Sequence, residues 1–128
     1  MAGERILIVD DNAINLKLVA YLMKANGYTV ETALDAESAI ESIRANHPDV
    51  ILMDIQLPGI DGLELTRRLK ADPKTRDIVI VAVTAYAMKG DQAKALAAGC
   101  DDYITKPIDT RTLPETIAKH LAKREVVS

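Results

Sequence analysis

The chain has 128 residues, a length typical of one domain that buries about two-thirds of the surface of its unfolded form. Hydrophobic residues make up 48% and charged residues 27%, a balance that excludes disordered and fibrous classes. The formal net charge of −3 has the wrong sign for a chain that binds nucleic acid by itself, and no apolar run reaches the roughly 20 residues of a membrane span.

The aromatic composition is unusual, because the chain has four tyrosines and neither Phe nor Trp. The core must therefore be built from aliphatic side chains and methionine, and Tyr21 and Tyr28 are expected to pack near the first helix and the second strand. The single cysteine, Cys100, cannot form an intramolecular disulfide and is expected to be a small buried residue. With no signal peptide ahead of Arg5, we expect a cytoplasmic protein.

Short apolar runs alternate with helical patterns from one end of the chain to the other. Strands are predicted at residues 6–9, 28–32, 50–53, 78–83 and 103–104. Apolar residues recur at helical spacing in the segments between them and after the last one. Gly27, Pro48 and Gly99 are expected to end helices, Gly62 to begin one, and Asp109 or Thr110 to cap the last. Five strands that alternate with five helices predict a parallel sheet in a three-layer α/β sandwich.

Polar side chains follow the strands at their carboxyl ends, where such sheets bind ligands. Asp10 and Asp11 follow the first strand, Asp54 the third, Thr84 ends the fourth and Lys106 follows the fifth. Each alone has a structural explanation as a helix cap, a turn residue or a surface charge. Together they predict one site in which three carboxylates bind Mg²⁺.

The same residues indicate phosphoryl chemistry. Lys106 and Thr84, with the metal, would neutralise a phosphoryl group, and the Asp54 carboxylate would be the nucleophile.

The chain resembles the receiver domains of two-component response regulators from residue 5 to residue 121. We therefore expect residues 1–128 to form a single receiver domain with a core of about residues 5–121. The resemblance is carried by residues 8–12, 52–59, 83–85 and 102–107. Residues 81–91 resemble the stand-alone DivK-type regulators and the receivers of hybrid histidine kinases more than the receivers of transcription factors. The implied fold is a flavodoxin-like, doubly wound (βα)5 sandwich with a five-stranded parallel sheet of order 2-1-3-4-5.

The resemblance implies a role for each site residue. Asp54 would accept a phosphoryl group, and Asp10, Asp11, Asp54 and the backbone carbonyl of Gln56 would hold Mg²⁺, with Mn²⁺ as a substitute. Lys106 would contact the phosphoryl oxygens, while Thr84 and Tyr103 would form the switch. Gln56, Ala85 and Tyr86 would lie next to the phosphate, where the Tyr86 ring is expected to slow self-dephosphorylation relative to Tyr86→Asn.

The implied partners are a histidine kinase or a histidine phosphotransfer protein and an unknown downstream protein, with the chain a monomer or a phosphorylation-dependent dimer. Docking is expected on the first helix at Ala13, Ile14 and Leu16 and on the loop at Pro107 and Ile108. From the residues alone, Ile14 is either exposed for a partner or packed as a hydrophobic staple.

The leading hypothesis is thus a stand-alone phosphoacceptor switch in a two-component phosphorelay, and not an enzyme beyond self-phosphorylation and self-dephosphorylation. A receiver excised from a hybrid histidine kinase is the first alternative. A metal-dependent phosphohydrolase is disfavoured because Gln56 stands where such enzymes carry a second aspartate. A flavodoxin-like binding module is disfavoured because Asp10 and Asp11 replace a phosphate-binding loop.

Overall fold

The computed structural model describes residues 4–55, 62–84, 90–106 and 108–127. Strands and helices alternate throughout, as the apolar runs predict. The strands are β1 Arg5–Val9, β2 Thr29–Ala33, β3 Val50–Asp54, β4 Val79–Thr84 and β5 Asp102–Thr105. The helices are α1 Ala13–Ala25, α2 Ala36–Ala45, α3 Gly62–Ala71, α4 Asp91–Ala98 and α5 Leu113–Val127.

The five strands form one parallel sheet of order β2-β1-β3-β4-β5, which confirms the predicted fold class. The order reverses between β1 and β3, because the chain moves outward to β2 before it crosses to β3. Ile6 is in register with Val50, and Val50 with Val79, so these three strands run side by side to the same edge. This places the residues that follow β1 and end β3 next to each other.

Alternate side chains of the central strands enter two separate cores, one on each face of the sheet. Leu7, Ile51 and Ile80 pack on the face covered by α2, α3 and α4. Ile8 and Leu52 pack on the face covered by α1 and α5. Both faces are thus apolar, which explains why these strands are continuous apolar runs in the sequence.

One of two expectations about individual residues is confirmed and the other is wrong in part. Helix α5 begins at Leu113, and Asp109 caps the turn that leads into it, because its carboxylate accepts the backbone N–H of Arg111 and its carbonyl oxygen accepts that of Leu113. Tyr28 is buried as expected, but Tyr21 is 76% exposed because it lies on the outer side of α1. Within the part of the chain that the structure describes, no helix has the length and apolarity that a bilayer crossing requires.

Candidate functional site

Asp10 lies directly after β1 and is held by the first turn of α1. Its carboxylate accepts the backbone N–H of Asn12 at 2.9 Å and the side-chain amide of Asn15 at 3.0 Å. Asn12 is the N-cap of α1, and its side chain accepts the backbone N–H groups of Ile14 and Asn15. Asp10 is buried, with only 6% of its surface exposed. The start of the helix therefore fixes the orientation of a buried carboxylate.

Asp54 is the last residue of β3 and is 4% exposed. The next residue, Ile55, donates its backbone N–H to Val83 of β4 at 3.1 Å, which ties the end of β3 to its neighbour. The first residue of α3, Gly62, lies directly against this backbone. A Cβ atom there would be 2.7 Å from Ile55 Cα and nearer still to the carbonyl oxygen of Asp54. A glycine is therefore required for the close approach of α3 to the end of β3.

Lys106 bridges the two buried carboxylates. Its ammonium nitrogen lies 2.9 Å from Asp10 Oδ2 and 3.3 Å from Asp54 Oδ2. The backbone N–H of Lys106 donates to the carbonyl oxygen of Thr84 at 2.7 Å, so the end of β4 holds the residue that follows β5. The ends of β1, β3, β4 and β5 are thereby joined at one point.

The charges at this point stabilise one another. Burial by itself raises the pKa of the Asp10 carboxyl, but hydrogen bonds from Asn12, Lys106 and Asn15 outweigh it and hold the pKa below its usual value. Burial by itself lowers the pKa of the Lys106 ammonium, but the hydrogen bond to Asp10 and the charge of Asp54 raise it above its usual value. Asp10 and Lys106 are therefore both ionised at neutral pH.

Three carboxylates meet at this edge of the sheet. One oxygen from each of Asp10, Asp11 and Asp54 lies within 4.8 Å of the other two, with Asp11 exposed and the others buried. Hard oxygen donors with one side open to solvent suit Mg²⁺, which keeps several waters and takes few protein ligands. The donor set thus fits the predicted magnesium ion.

The two expected switch residues lie on the same face of the sheet. Thr84 ends β4 and is fully buried, and it follows Ala82 by two residues on the strand. Tyr103 of β5 is in register with Ala82, and its half-buried ring packs against the core on the α2–α4 face. The structure therefore places Thr84 and Tyr103 on one side of the sheet, as their proposed coupling needs.

The residues expected to dock a partner differ in how far they are exposed to solvent. Ile14 is 81% exposed, which favours exposure over a staple, and Ala13 beside it is also exposed. Leu16 is buried in the core, as its helical spacing indicates, so its place on a docking surface was wrongly predicted. Ile108 is half-buried against the α1–α5 core. Gln56, Ala85, Tyr86 and Pro107 lie outside the described residues.

Asn15 and Gly62 are two site residues whose roles sequence reasoning missed. For Asn15, the usable signal is a polar residue in the first turn after Asp10, Asp11 and Asn12. For Gly62, the sequence predicts only the start of α3, because its contact with the Asp54 backbone depends on how α3 packs.

Comparison with known proteins gives consistent results. Residues 6–118 match the model of the response regulator receiver domain. The polar-differentiation response regulator DivK of Brucella ovis is 46% identical over 116 residues, which are 91% of this chain and 94% of that protein.

Solved structures are similar over nearly the whole chain. A CheY-like receiver domain protein from Methanospirillum hungatei superposes with a TM-score of 0.91 at 32% identity, covering 99% of this chain and all of that one. The receiver domain of a sensor histidine kinase from Pseudomonas aeruginosa was solved with a magnesium ion in its active-site cleft. It has a TM-score of 0.83 at 36% identity, and the match covers 92% of this chain and 97% of that one.

Proposed function

The chain belongs to the response regulator receiver family and is DivK-like, and on that premise we propose that Asp54 is its phosphoacceptor in a Mg²⁺-dependent reaction. The observation that carries the proposal is the bridge from Lys106 to the buried carboxylates of Asp10 and Asp54. A buried aspartate beside a lysine and two further aspartates is arranged to receive a dianionic group and to compensate its charge.

The transfer itself forms one bond and breaks one. An Asp54 carboxylate oxygen attacks the phosphorus of a phosphohistidine, the phosphorus–nitrogen bond breaks, and the imidazole leaves with the electron pair and takes up a proton. An aspartyl phosphate results, with atoms and charge balanced. The proposed metal ligands are Asp10, Asp11, Asp54 and the Gln56 carbonyl, and Mn²⁺ is the proposed substitute. When bound, the ion supplies positive charge against the phosphoryl oxygens.

The side chains around Asp54 have distinct proposed roles. Lys106, whose ammonium lies 3.3 Å from Asp54 Oδ2, is positioned to contact an incoming phosphoryl oxygen. Asn12 and Asn15 hold the Asp10 carboxylate in a fixed orientation by two hydrogen bonds. Thr84 is the proposed link from the phosphate to Tyr103, and Gln56, Ala85 and Tyr86 are proposed to lie next to the phosphate.

We propose that the protein is a switch whose chemistry is limited to its own phosphorylation and dephosphorylation. The sequence supports this because Gln56 occupies the place of the second aspartate of metal-dependent phosphohydrolases. The proposed setting is the cytoplasm, with residues 1–128 forming one receiver domain with a core of about residues 5–121.

The proposed partners are a histidine kinase or a histidine phosphotransfer protein, and a downstream protein that reads the switch. Ala13, Ile14, Pro107 and Ile108 are proposed to contact the phosphodonor. The exposure of Ile14 next to the acidic site supports this, because a large apolar side chain at a surface favours contact with another protein. The chain is proposed to be a monomer or to dimerise on phosphorylation.

The test is intact-mass measurement after incubation with acetyl phosphate and Mg²⁺. We expect one phosphoryl adduct on the wild type and on Asp109→Asn, which changes an exposed aspartate outside the cluster. Asp54→Asn should carry none, and chelation of Mg²⁺ should prevent the adduct on every variant. An adduct on Asp54→Asn equal to that on the wild type would overturn the assignment of the phosphoacceptor.

A further inference from the structure

A groove of about 280 Å³ lies between α2 and α3, on the face of the sheet opposite to α1. Its apolar lining comes from both helices: Ile40 and Ile43 of α2, and Leu65 and Leu69 of α3. Small-molecule sites are usually larger and bury most of their ligand. A groove of this volume instead suits one or two side chains of a protein segment that lies across the surface.

Two arginines also line the groove, one from each helix. Arg44 is in the last turn of α2 and Arg68 is in the last turn of α3, and both are exposed. Within the part of the chain that the structure describes, neither is in an ion pair, whereas Arg5, Arg67 and Arg111 each pair with a carboxylate. Two guanidinium groups beside an apolar groove favour a ligand that carries carboxylates next to an apolar side chain.

The other polar groups that line the groove are bonded to nearby backbone. The Asp72 carboxylate accepts the backbone N–H of Lys74 at 2.9 Å, and the Thr75 hydroxyl donates to the carbonyl oxygen of Leu69 at 2.6 Å. Asp72 is the one carboxylate among the described lining residues, so the two arginines leave the groove with a net positive charge. An acidic segment would therefore be attracted to this end of α2 and α3 and repelled by the carboxylate cluster.

The groove and the phosphorylation site lie at different ends of the same helices. Both helices follow strands of a parallel sheet, so they begin at its carboxyl edge and end at its amino edge. Gly62, the first residue of α3, lies against the backbone of Asp54, and Arg68 comes six residues later, about 9 Å further along the axis. A molecule in the groove would therefore leave both the carboxylate cluster and the α1 surface at Ile14 open.

We propose that the groove between α2 and α3 is a docking site for an acidic segment of a partner protein, in which one or two apolar side chains stand between carboxylates. The apolar side chains would lie in the groove against Ile40 of α2 and Leu69 of α3. The carboxylates would pair with Arg44 and Arg68, whose guanidinium groups can each donate two parallel hydrogen bonds. This site goes beyond the proposed phosphoryl transfer, because it can be occupied while Asp54 is phosphorylated.

The experiment is an NMR titration of the isotope-labelled protein with three synthetic ten-residue peptides. The first has two adjacent leucines between two pairs of aspartates. The second has asparagine in place of each aspartate, and the third has serine in place of each leucine. We expect the first peptide to shift backbone resonances of the last turns of α2 and α3, and to bind about tenfold more tightly than either of its copies.

Variants at the two arginines test the charge match. Arg44→Glu/Arg68→Glu should weaken binding of the first peptide by at least about tenfold, and the fold should be kept because both side chains are exposed. Lys24→Glu/Lys94→Glu makes the same change in net charge at exposed lysines of α1 and α4 and should bind like the wild type. Phosphorylation by acetyl phosphate should proceed at the wild-type rate in the Arg44→Glu/Arg68→Glu protein, since neither arginine lies at the carboxylate cluster.

Each of several outcomes would overturn the proposal. Equal binding of the first peptide and either of its copies would contradict the match of charge or of apolar surface. Shifts confined to other surfaces, or none at all, would remove the site, as would undiminished binding to Arg44→Glu/Arg68→Glu. A wild-type dimer in light scattering that this variant dissociates would show that a second copy of the chain fills the groove. Binding to phosphatidylglycerol vesicles that the variant loses, with no binding of the first peptide, would identify a membrane surface in its place.

Discussion

The ammonium nitrogen of Lys106 lies 2.9 Å from Asp10 Oδ2, although the two residues are separated by almost the whole chain and neither is on a regular strand or helix. Both side chains are largely removed from solvent, since that of Lys106 is 18% exposed and that of Asp10 is 8% exposed. Removing one partner of a close, partly desolvated ion pair destabilises the protein, because the remaining charge stays buried without its partner.

Lys106→Met should therefore destabilise the protein in the absence of divalent cations. We expect the free energy of unfolding to fall by about 2 kcal/mol, less than for a fully buried pair because Lys106 keeps some contact with solvent. Added Mg²⁺ should restore part of the loss, since it supplies positive charge to the same carboxylates. Urea unfolding with a chelator and with Mg²⁺ measures both effects. Lys94→Met, at an exposed site on α4, should stay within about 0.5 kcal/mol of the wild type, and an equally small effect of Lys106→Met would contradict the prediction.

Gly62→Ala should affect both the stability and the chemistry of the site. The new methyl group would collide with backbone atoms of Asp54 and Ile55, which cannot rotate away as a side chain would. We expect a loss of about 1 to 3 kcal/mol, even though alanine favours a helix, and slower phosphorylation by acetyl phosphate because the end of β3 is displaced.

Gly99→Ala is the matched control for Gly62→Ala. It is strained by a φ of +112° and by contact with the Lys70 side chain, but it ends α4 rather than lying against Asp54. It should lose stability while phosphorylation of the folded protein stays at the wild-type rate. If both variants slow phosphorylation equally, the effect of Gly62 comes from stability alone.

Much of this arrangement could be predicted from the sequence, because the relevant signals are local. Apolar runs indicated all five strands, and Asp10, Asp54 and Lys106 were placed together by the rule that parallel strands end at one edge. The role of Gly62 and the exposure of Tyr21 could not be predicted. Both depend on how a helix packs on the sheet, and helical spacing alone does not show which outer residues of α1 face β2.

The pair of Asp102 and His120 is another contact that spacing could not reveal, and it predicts a pH dependence. His120 Nε2 of α5 lies 2.9 Å from Asp102 Oδ2 at the start of β5. Burial by itself raises the pKa of the Asp102 carboxyl, but the His120 hydrogen bond and the backbone N–H of Tyr103 lower it below the ordinary value of 3.8. A carboxyl with a lowered pKa in the folded state stabilises the fold above its unfolded pKa, and this contribution is lost as the pH falls through the folded pKa.

Asp102→Asn should therefore reduce the free energy of unfolding at neutral pH and change it less below about pH 4. The difference from the wild type, measured by urea unfolding, should shrink as the solution is acidified from about pH 5 to about pH 3. His120→Gln keeps a hydrogen-bond donor and should show a smaller difference of the same sign. A difference between Asp102→Asn and the wild type that does not change with pH would refute the role of this carboxylate.

Ile14→Asp should separate docking from chemistry. Because Ile14 is 81% exposed, the change should alter the free energy of unfolding by less than about 0.5 kcal/mol. Phosphorylation by acetyl phosphate should also be unchanged, since that small donor needs no protein surface. Transfer from a phosphorylated histidine kinase or phosphotransfer protein should slow by about tenfold, as expected when a contact of at least 1 kcal/mol is lost at an interface.

The control for Ile14→Asp is Leu96→Asp, which places the same charge on an exposed leucine of α4. Radiolabelled transfer from each purified kinase or phosphotransfer protein of the source organism, followed over time, gives the rates. We expect Leu96→Asp to accept the phosphoryl group at the wild-type rate from the same donor. Since both variants add one negative charge, a slower transfer to Ile14→Asp alone assigns the effect to the first turns of α1. Equal slowing of both would instead indicate a general repulsion between an acidic receiver and its donor.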